Sequence, residues 1–88
     1  MYNEIKDALK SIDTDLTWYR NWQKTQLKFI NRVERLKQRA VDAGNDNEAL
    51  DRANELSQMR KDYAYTSGMI DGLKHAERTL LHYLGEEI

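Results

Sequence analysis

The amino-acid sequence predicts an all-α protein, an antiparallel helical hairpin of two long helices that self-associates into a helical bundle. The 88 residues contain no proline and only four glycines, and a helix tolerates such a composition well. Apolar residues recur at steps of three and four on both sides of one helix breaker, residues 43–47. The chain has no cysteine, so no disulfide supports its small core. We therefore expect one domain, residues 1–88, that gains stability by association.

The first helical arm is expected over residues 1–43. Residues 11–17 are rich in Ser, Thr and Asp, whose side chains compete with the helix by bonding nearby backbone. Two alternatives stay open: one continuous helix, or a short N-terminal third helix, a break at 13–17 capped by Asp13 or Thr14, and a longer helix. The expected apolar stripe of this arm consists of Tyr19, Trp22, Gln26, Phe29, Val33, Leu36, Ala40 and Ala43. A further apolar flank, which favours self-association, consists of Leu16, Leu27, Ile30 and Val41.

The turn is expected at residues 44–47 and the second long helix at 48–85. Gly44 can adopt positive φ after the first helix, and Asp46 or Asn47 can cap the second. The second stripe consists of Leu50, Ala53, Leu56, Tyr63, Ser67, Ile70, Leu73, Leu80 and Leu84. This stripe drifts backwards around the helix, as expected for a left-handed supercoil. Facing residues have numbers that sum to about 90, so the expected pairs are Val33 with Leu56, Gln26 with Tyr63, and Trp22 with Ser67.

The second helix carries a further small and apolar face. Gly68 and Gly72 lie one turn apart, although glycine inside a helix costs about 1 kcal/mol relative to alanine. Three interpretations stay open: the glycines are incidental, the chain's own N-terminal segment packs closely on them, or they belong to an interface between copies. The residues expected at an oligomer or partner interface are Trp18, Tyr65, Gly68, Met69, Gly72 and Ala76.

The strongest functional feature is a basic stripe on the first arm. Its six cations recur at steps of three and four opposite the apolar stripe: Arg20, Lys24, Lys28, Arg32, Arg35 and Arg39. One interpretation is a solvated face balanced by the acidic stretch 42–56 or by a neighbouring subunit. The other is a docking surface for an acidic macromolecule. Trp18 and Trp22 could stack on nucleic-acid bases, but the pI near 6.1 favours a protein partner over duplex DNA.

Catalytic chemistry is not expected from this sequence. His75 and His82 lie about 10.5 Å apart along a helix, too far to ligate one zinc ion within one chain, even with Asp71 nearby. The segment from Gly68 to Gly72 lies inside a helix with no strand before it, which excludes a phosphate loop. We therefore expect no enzyme, no cofactor and no metal site. The chain shows no apolar run of membrane-spanning length and no signal peptide, which favours a cytoplasmic location.

Residues 68–81, with the sequence GMIDGLKHAERTLL, resemble the terminal helix of short uncharacterised helical proteins of tailed phages. The resemblance carries no catalytic motif and assigns no functional residue. It implies an accessory protein of phage or prophage origin, acting in the host cytoplasm. Proteins of this kind often bind a host or defence component, or help to assemble phage structures.

These observations favour a non-catalytic binding protein that modulates or inhibits a host or defence macromolecule through a surface helix face. The first alternative is a nucleic-acid or nucleotide binder that uses the basic stripe, and binding that weakens steeply with salt would favour it. A second alternative is an assembly or scaffolding protein, which would form large and defined oligomers.

Overall fold

The hairpin predicted from the sequence is confirmed. The structure, a computed structural model, describes the backbone of residues 2–87 and the side chains of residues 2–85. It contains two helices, α1 (Tyr2–Asp42) and α2 (Asp46–Glu87), which run antiparallel as a rod of 65 × 15 × 13 Å. In the part of the chain that is described, neither helix has a stretch long and apolar enough to cross a membrane.

Residues 43–45 connect the helices in a tight turn. Gly44 has φ of +70°, and its N–H donates to the carbonyl of Val41 at 3.1 Å. The N–H of Asn45 donates to the carbonyl of Ala40 at 2.8 Å, which completes a Schellman motif. Asn45 then caps α2, since its Oδ1 accepts the N–H of Glu48 at 3.2 Å. The expectation of a cap at Asp46 or Asn47 is therefore wrong, because the Schellman turn ends one residue earlier.

Helix α1 passes through residues 13–17 without a break. The hydroxyls of Thr14 and Thr17 donate to the carbonyls of Lys10 and Asp13, each at 3.0 Å. Because each hydroxyl donates to a carbonyl in the preceding turn, its hydrogen-bonding capacity is used within the helix. These threonines can therefore stand in the middle of a helix and do not have to cap one. Of the two alternatives left open by the sequence, the structure has the continuous helix, and a separate N-terminal third helix is wrong.

The core is a thin seam between the two helices. Its buried apolar side chains are Leu16, Ile30, Val33, Ala40, Leu56 and Ile70. Ile30, Val33 and Leu56 form one cluster, against which Met59 and Tyr63 pack. The predicted proximity of Val33 and Leu56 is confirmed by this cluster.

The apolar stripe expected on α1 is only half right. Tyr19, Gln26, Val33 and Ala40 are buried or half-buried and face α2, as expected. The second row of α1 residues that faces α2 is not the one expected. Leu16 and Ile30, assigned to an outer flank, are in the core, whereas Trp22 and Phe29 are 43% and 49% exposed and Ala43 is exposed. Two helices in contact are about 8–10 Å apart. This gap admits isoleucine and leucine, while the larger aromatic rings lie beside it.

The stripe expected on α2 needs two corrections. Leu50 is 61% exposed, and Thr66, which the apolar pattern missed, is 4% exposed. Thr66 can be buried because its hydroxyl donates to the carbonyl of Asp62 at 3.1 Å. As the drift of the stripe predicted, most of the buried and half-buried positions of α2 follow a seven-residue repeat, as in a coiled coil: Ala49, Arg52, Leu56, Met59, Tyr63, Thr66, Ile70, Leu73, Glu77, Leu80 and Leu84.

Polar contacts fix the register of the hairpin. Gln23 Nε2 donates to Ser67 Oγ at 2.6 Å, so the hydrogen-bond partner of Ser67 is Gln23, the residue next to Trp22. The numbers of this pair sum to 90, as predicted. Nearer the turn, Arg60 and Glu34 form an ion pair across the helices at 2.6 Å. A slip of the helices past each other would break both contacts.

Candidate functional site

One long side of the hairpin carries an aromatic groove of about 330 Å³. Trp22 and Phe29 line it from α1, and Tyr65, which is 72% exposed, lines it from α2. The complete lining is Trp22, Gln26, Phe29, Met59, Asp62 and Tyr65. We call these six residues the aromatic groove. Large apolar side chains clustered on a surface are typical of an interaction site.

Gln26 is the polar member of the groove. Gln26 is only 8% exposed, and its Oε1 atom has no hydrogen-bond partner among the described residues. A buried acceptor without a donor costs about 1–3 kcal/mol. An occupant of the groove that brought an N–H or O–H donor to this oxygen would remove that penalty.

Trp18 extends the aromatic surface along α1. It is 61% exposed, and its ring stacks against that of Trp22 with centroids 6.4 Å apart. Its edge also meets the ring of Tyr19 at 5.0 Å. Of the residues expected at an interface, Trp18 and Tyr65 therefore lie on or beside the groove. Met69 and Ala76 are half-buried.

Gly68 and Gly72 lie on an open part of α2. A Cβ atom added at either position would meet no atom within 4 Å among the described residues. The interpretation that the chain's own N-terminal segment packs closely against these glycines is therefore wrong for residues 2–87. The absence of side chains leaves a shallow notch on the surface, open to another molecule.

The basic stripe is exposed along its whole length, which is about 28 Å at the helical rise per residue. None of its six cations lies within 4.0 Å of a carboxylate among the residues whose side chains are described. The nearby acids bond elsewhere: Glu34 pairs with Arg60, while Glu48 and Glu55 pair with Arg52. Contacts within the described chain therefore do not neutralise the stripe.

Three cations of the stripe converge on one surface depression of about 530 Å³. Lys28, Arg32 and Arg35 line it together with Phe29, Thr25 and Asn31. Two guanidinium groups supply planar donors for carboxylates or phosphates, and the lysine adds a point charge. The amide of Asn31 and the hydroxyl of Thr25 add neutral hydrogen-bonding groups. This depression can hold one or two anionic groups.

His75 and His82 line a shallow depression near the free ends of the helices, together with Arg78, Thr79 and Tyr83. Both histidines are exposed, and the ring of His82 lies 6.3 Å from that of Tyr83. Within the described chain, no three His, Asp or Glu side chains gather as metal ligands would.

The sequence pattern missed most of the groove. Trp22 and Phe29 were assigned to the core, and Met59, Asp62 and Gln26 were not recognised as neighbours of Tyr65. A signal was present, because Trp22, Phe29 and Leu36 recur every seven residues beside the seam. Such a row flanks the contact between two helices, and it is available to a further helix.

No protein-family model, curated protein or solved structure matches this chain. Its function has to be inferred from the two surfaces, the aromatic groove and the basic stripe.

Proposed function

We propose that this chain is a non-catalytic binding protein that docks an acidic macromolecule, in the first place an acidic protein surface, on its basic stripe. The observation that carries the proposal is the absence of a carboxylate near any of the six cations in the described chain. Like charges four residues apart on a helix repel by a few tenths of a kcal/mol per pair. A partner that brings carboxylates to the stripe relieves this repulsion.

A protein partner fits the charge of the whole chain better than nucleic acid does. The net charge is −1, and residues 42–56 carry five acids against Arg52. A duplex carries phosphates along its whole length and would meet these acids as well as the stripe. A protein surface presents an acidic patch of limited size. Such a patch can cover the 28 Å of the stripe without reaching the acids of residues 42–56.

The resemblance of residues 68–81 to the terminal helix of short phage proteins supports a modulating role. We propose that the partner is a host or defence protein in the host cytoplasm, and that binding inhibits it. Surface occupation is sufficient for such inhibition and requires no catalytic group, cofactor or metal.

A titration of a fluorescent poly-glutamate peptide tests the proposal. The variant Lys28→Glu/Arg35→Glu reverses two exposed cations on the outer face and should weaken binding at least about tenfold, because two attractive charges are removed and two repulsive charges are added. Raising the salt from about 50 to about 300 mM should weaken wild-type binding as well. The control variant Lys61→Glu/Lys74→Glu makes the same change of charge on exposed positions of α2.

Two results would contradict the proposal. Equal loss of affinity in the control variant would mean that net charge alone drives binding. A single-stranded oligonucleotide that bound more tightly than poly-glutamate, with an affinity that fell steeply with salt concentration, would indicate that the partner is nucleic acid and not an acidic protein. Circular dichroism of each variant checks that the helices remain intact.

A further inference from the structure

We infer that the aromatic groove is the contact between two copies of this chain, which lie side by side with their turns at the same end and form a four-helix bundle. The inference does not depend on the anion-binding proposal. Trp22, Phe29 and Leu36 form the row on the groove side of α1. Lys28 comes one position before Phe29, and Arg35 comes one position before Leu36. Consecutive residues of a helix point about 100° apart, so these two cations stay accessible in the pair.

The groove needs an occupant. Trp18, Trp22, Phe29 and Tyr65 are 43–72% exposed along one side of a rod in which six apolar side chains of residues 2–85 are buried. The Oε1 atom of Gln26 is buried at the same place without a hydrogen-bond donor among the described residues. An occupant of the groove would therefore bring apolar surface, and an N–H or O–H group that reached the Oε1 atom of Gln26 would satisfy it.

A second copy has the required chemistry. Its Trp18, Trp22 and Tyr65 supply aromatic surface together with indole N–H and phenol O–H donors. When such rings are buried, their N–H and O–H groups usually form a hydrogen bond. One whole side of the 65 × 15 Å rod measures roughly 1,000 Å², so contact along most of its length would reach the ~800 Å² per partner of a standard stable interface. The area and the donor groups are both sufficient for a stable pair.

The arrangement follows from the hairpin register. If the twofold axis runs parallel to the helices, α1 of one copy lies on α2 of the other, and residues at equal height keep numbers that sum to about 90. That sum is set by the hydrogen bond between Gln23 and Ser67. Trp18 then stands opposite the partner's Gly72, and Trp22 stands at the height of the partner's Gly68. Gly72 is seven residues from Tyr65 and so shares the groove side, and an added Cβ there meets nothing within 4 Å among the described residues, which leaves room for the indole of Trp18. Gly68 is at the height of Trp22 but is seven residues from Lys61, on the outer face of α2, so it leaves the groove side to Met69 and Gly72.

Charge favours the same arrangement. Residues seven apart in a coiled coil stay on one side, so Tyr65 and Asp62 share the groove side with Asp51 and Glu55. No lysine or arginine stands at the corresponding seven-residue positions of α2 from 48 to 83. With turns at the same end, Arg39 of α1 meets the partner's Asp51 at a sum of 90. Arg39 belongs to the basic stripe, so pairing would use this cation and leave the outer cations, Lys28 and Arg35, to an acidic partner. With turns at opposite ends, α2 would lie on α2, and these acids would meet no base there.

Sedimentation equilibrium of the full chain at ~100 µM tests the pairing. We expect the mass of two chains. The substitution Gly72→Leu fills the notch and should raise the dissociation constant at least about tenfold, while helix content is maintained because leucine favours helix over glycine. The matched control is Gly85→Leu, another exposed helical glycine, where an added Cβ meets no atom within 4 Å among the described residues. A one-chain mass for the wild type, or equal affinities for the two variants, would overturn the inference.

Cross-linking tests the orientation, since the chain has no cysteine of its own. The exposed positions Asn47, beside the turn, and Lys10, near the other end, are about 50 Å apart along the rod at the helical rise. Both positions point outward, so the reagent has to cross the bundle, whose neighbouring helix axes are about 10 Å apart. A bis-maleimide reagent with a spacer of about 30 Å should link two Asn47→Cys chains to each other and two Lys10→Cys chains to each other. A mixture of the variants should give no link between Asn47→Cys and Lys10→Cys chains. A predominant mixed link would place the turns at opposite ends and overturn the arrangement.

Discussion

At the scale of single residues, burial separates side chains of the same type. Leu56 is 1% exposed and lies in the cluster with Ile30 and Val33, whereas Leu50 on the same helix is 61% exposed. Both belong to the apolar stripe expected from the sequence, so their chemistry does not distinguish them. Only the position relative to the seam decides how much each contributes to stability.

The pair provides a matched test of the core. Leu56→Ala should lower the free energy of unfolding by about 2–4 kcal/mol, because it removes buried methyl groups and leaves a cavity. Leu50→Ala should change it by less than about 0.5 kcal/mol. Urea denaturation at equal chain concentration measures both, since association would otherwise contribute to the difference. Equal losses in the two variants would show that the seam is not where the structure has it.

The aromatic residues show why residue identity alone was misleading. Tryptophan and phenylalanine at three- and four-residue spacing normally indicate a core, and here Trp22 and Phe29 line an open groove. The seam between two helices is narrow, and Leu16 and Ile30 fill it. The sequence therefore predicted an apolar face correctly but not which of two adjacent rows is buried.

At the scale of the elements, the turn determines where both helices end. Gly44 at φ +70° ends α1, and Asn45 caps α2 together with Glu48, whose Oε2 accepts Asn45 Nδ2 at 3.2 Å. The arrangement is half of a capping box, because the Glu48 carboxylate accepts the side-chain amide of Asn45, while the backbone N–H of Asn45 donates to the carbonyl of Ala40. The break was predictable because glycine followed by asparagine and aspartate has few other uses between two helical segments.

Removal of the cap gives an element-scale prediction. Asn45→Ala should destabilise the hairpin by about 1 kcal/mol, since the N–H of Glu48 loses its acceptor. Asn47→Ala, two residues later on an exposed position, should change stability by less than about 0.5 kcal/mol. Thermal unfolding followed by circular dichroism measures the difference. A larger loss of stability in Asn47→Ala than in Asn45→Ala would show that Asn47 caps α2, as one of the sequence expectations had it.

Helix existence and pairing were predictable, while exact faces were not. Periodicity and the lack of proline defined two helices, and the turn position gave the sum of about 90 that Gln23 and Ser67 obey. Burial of Thr66 was not predictable, because it depends on a hydroxyl bond to the carbonyl of Asp62 within α2. The buried Oε1 of Gln26 likewise appears only once the rows on both helices are in place.

At the scale of the whole molecule, the rod divides its surface between two tasks. The aromatic groove offers apolar area, with the open backbone of Gly72 on the same side, and it is assigned to a second copy. The basic stripe is free of ion pairs in the described chain and is assigned to an acidic partner. Because Lys28 and Arg35 stand on the outer face, pairing of two chains would leave two such surfaces on opposite sides of one bundle.

Sedimentation velocity with the fluorescent poly-glutamate peptide tests this division most directly, because it reports particle size and peptide binding together. For the wild type at ~100 µM, the peptide should sediment with a two-chain particle. With Lys28→Glu/Arg35→Glu, the two-chain particle should persist and the peptide should sediment alone. With Gly72→Leu, the peptide should move with a one-chain particle. The account is contradicted if the wild-type protein sediments as one chain and the peptide sediments separately from it.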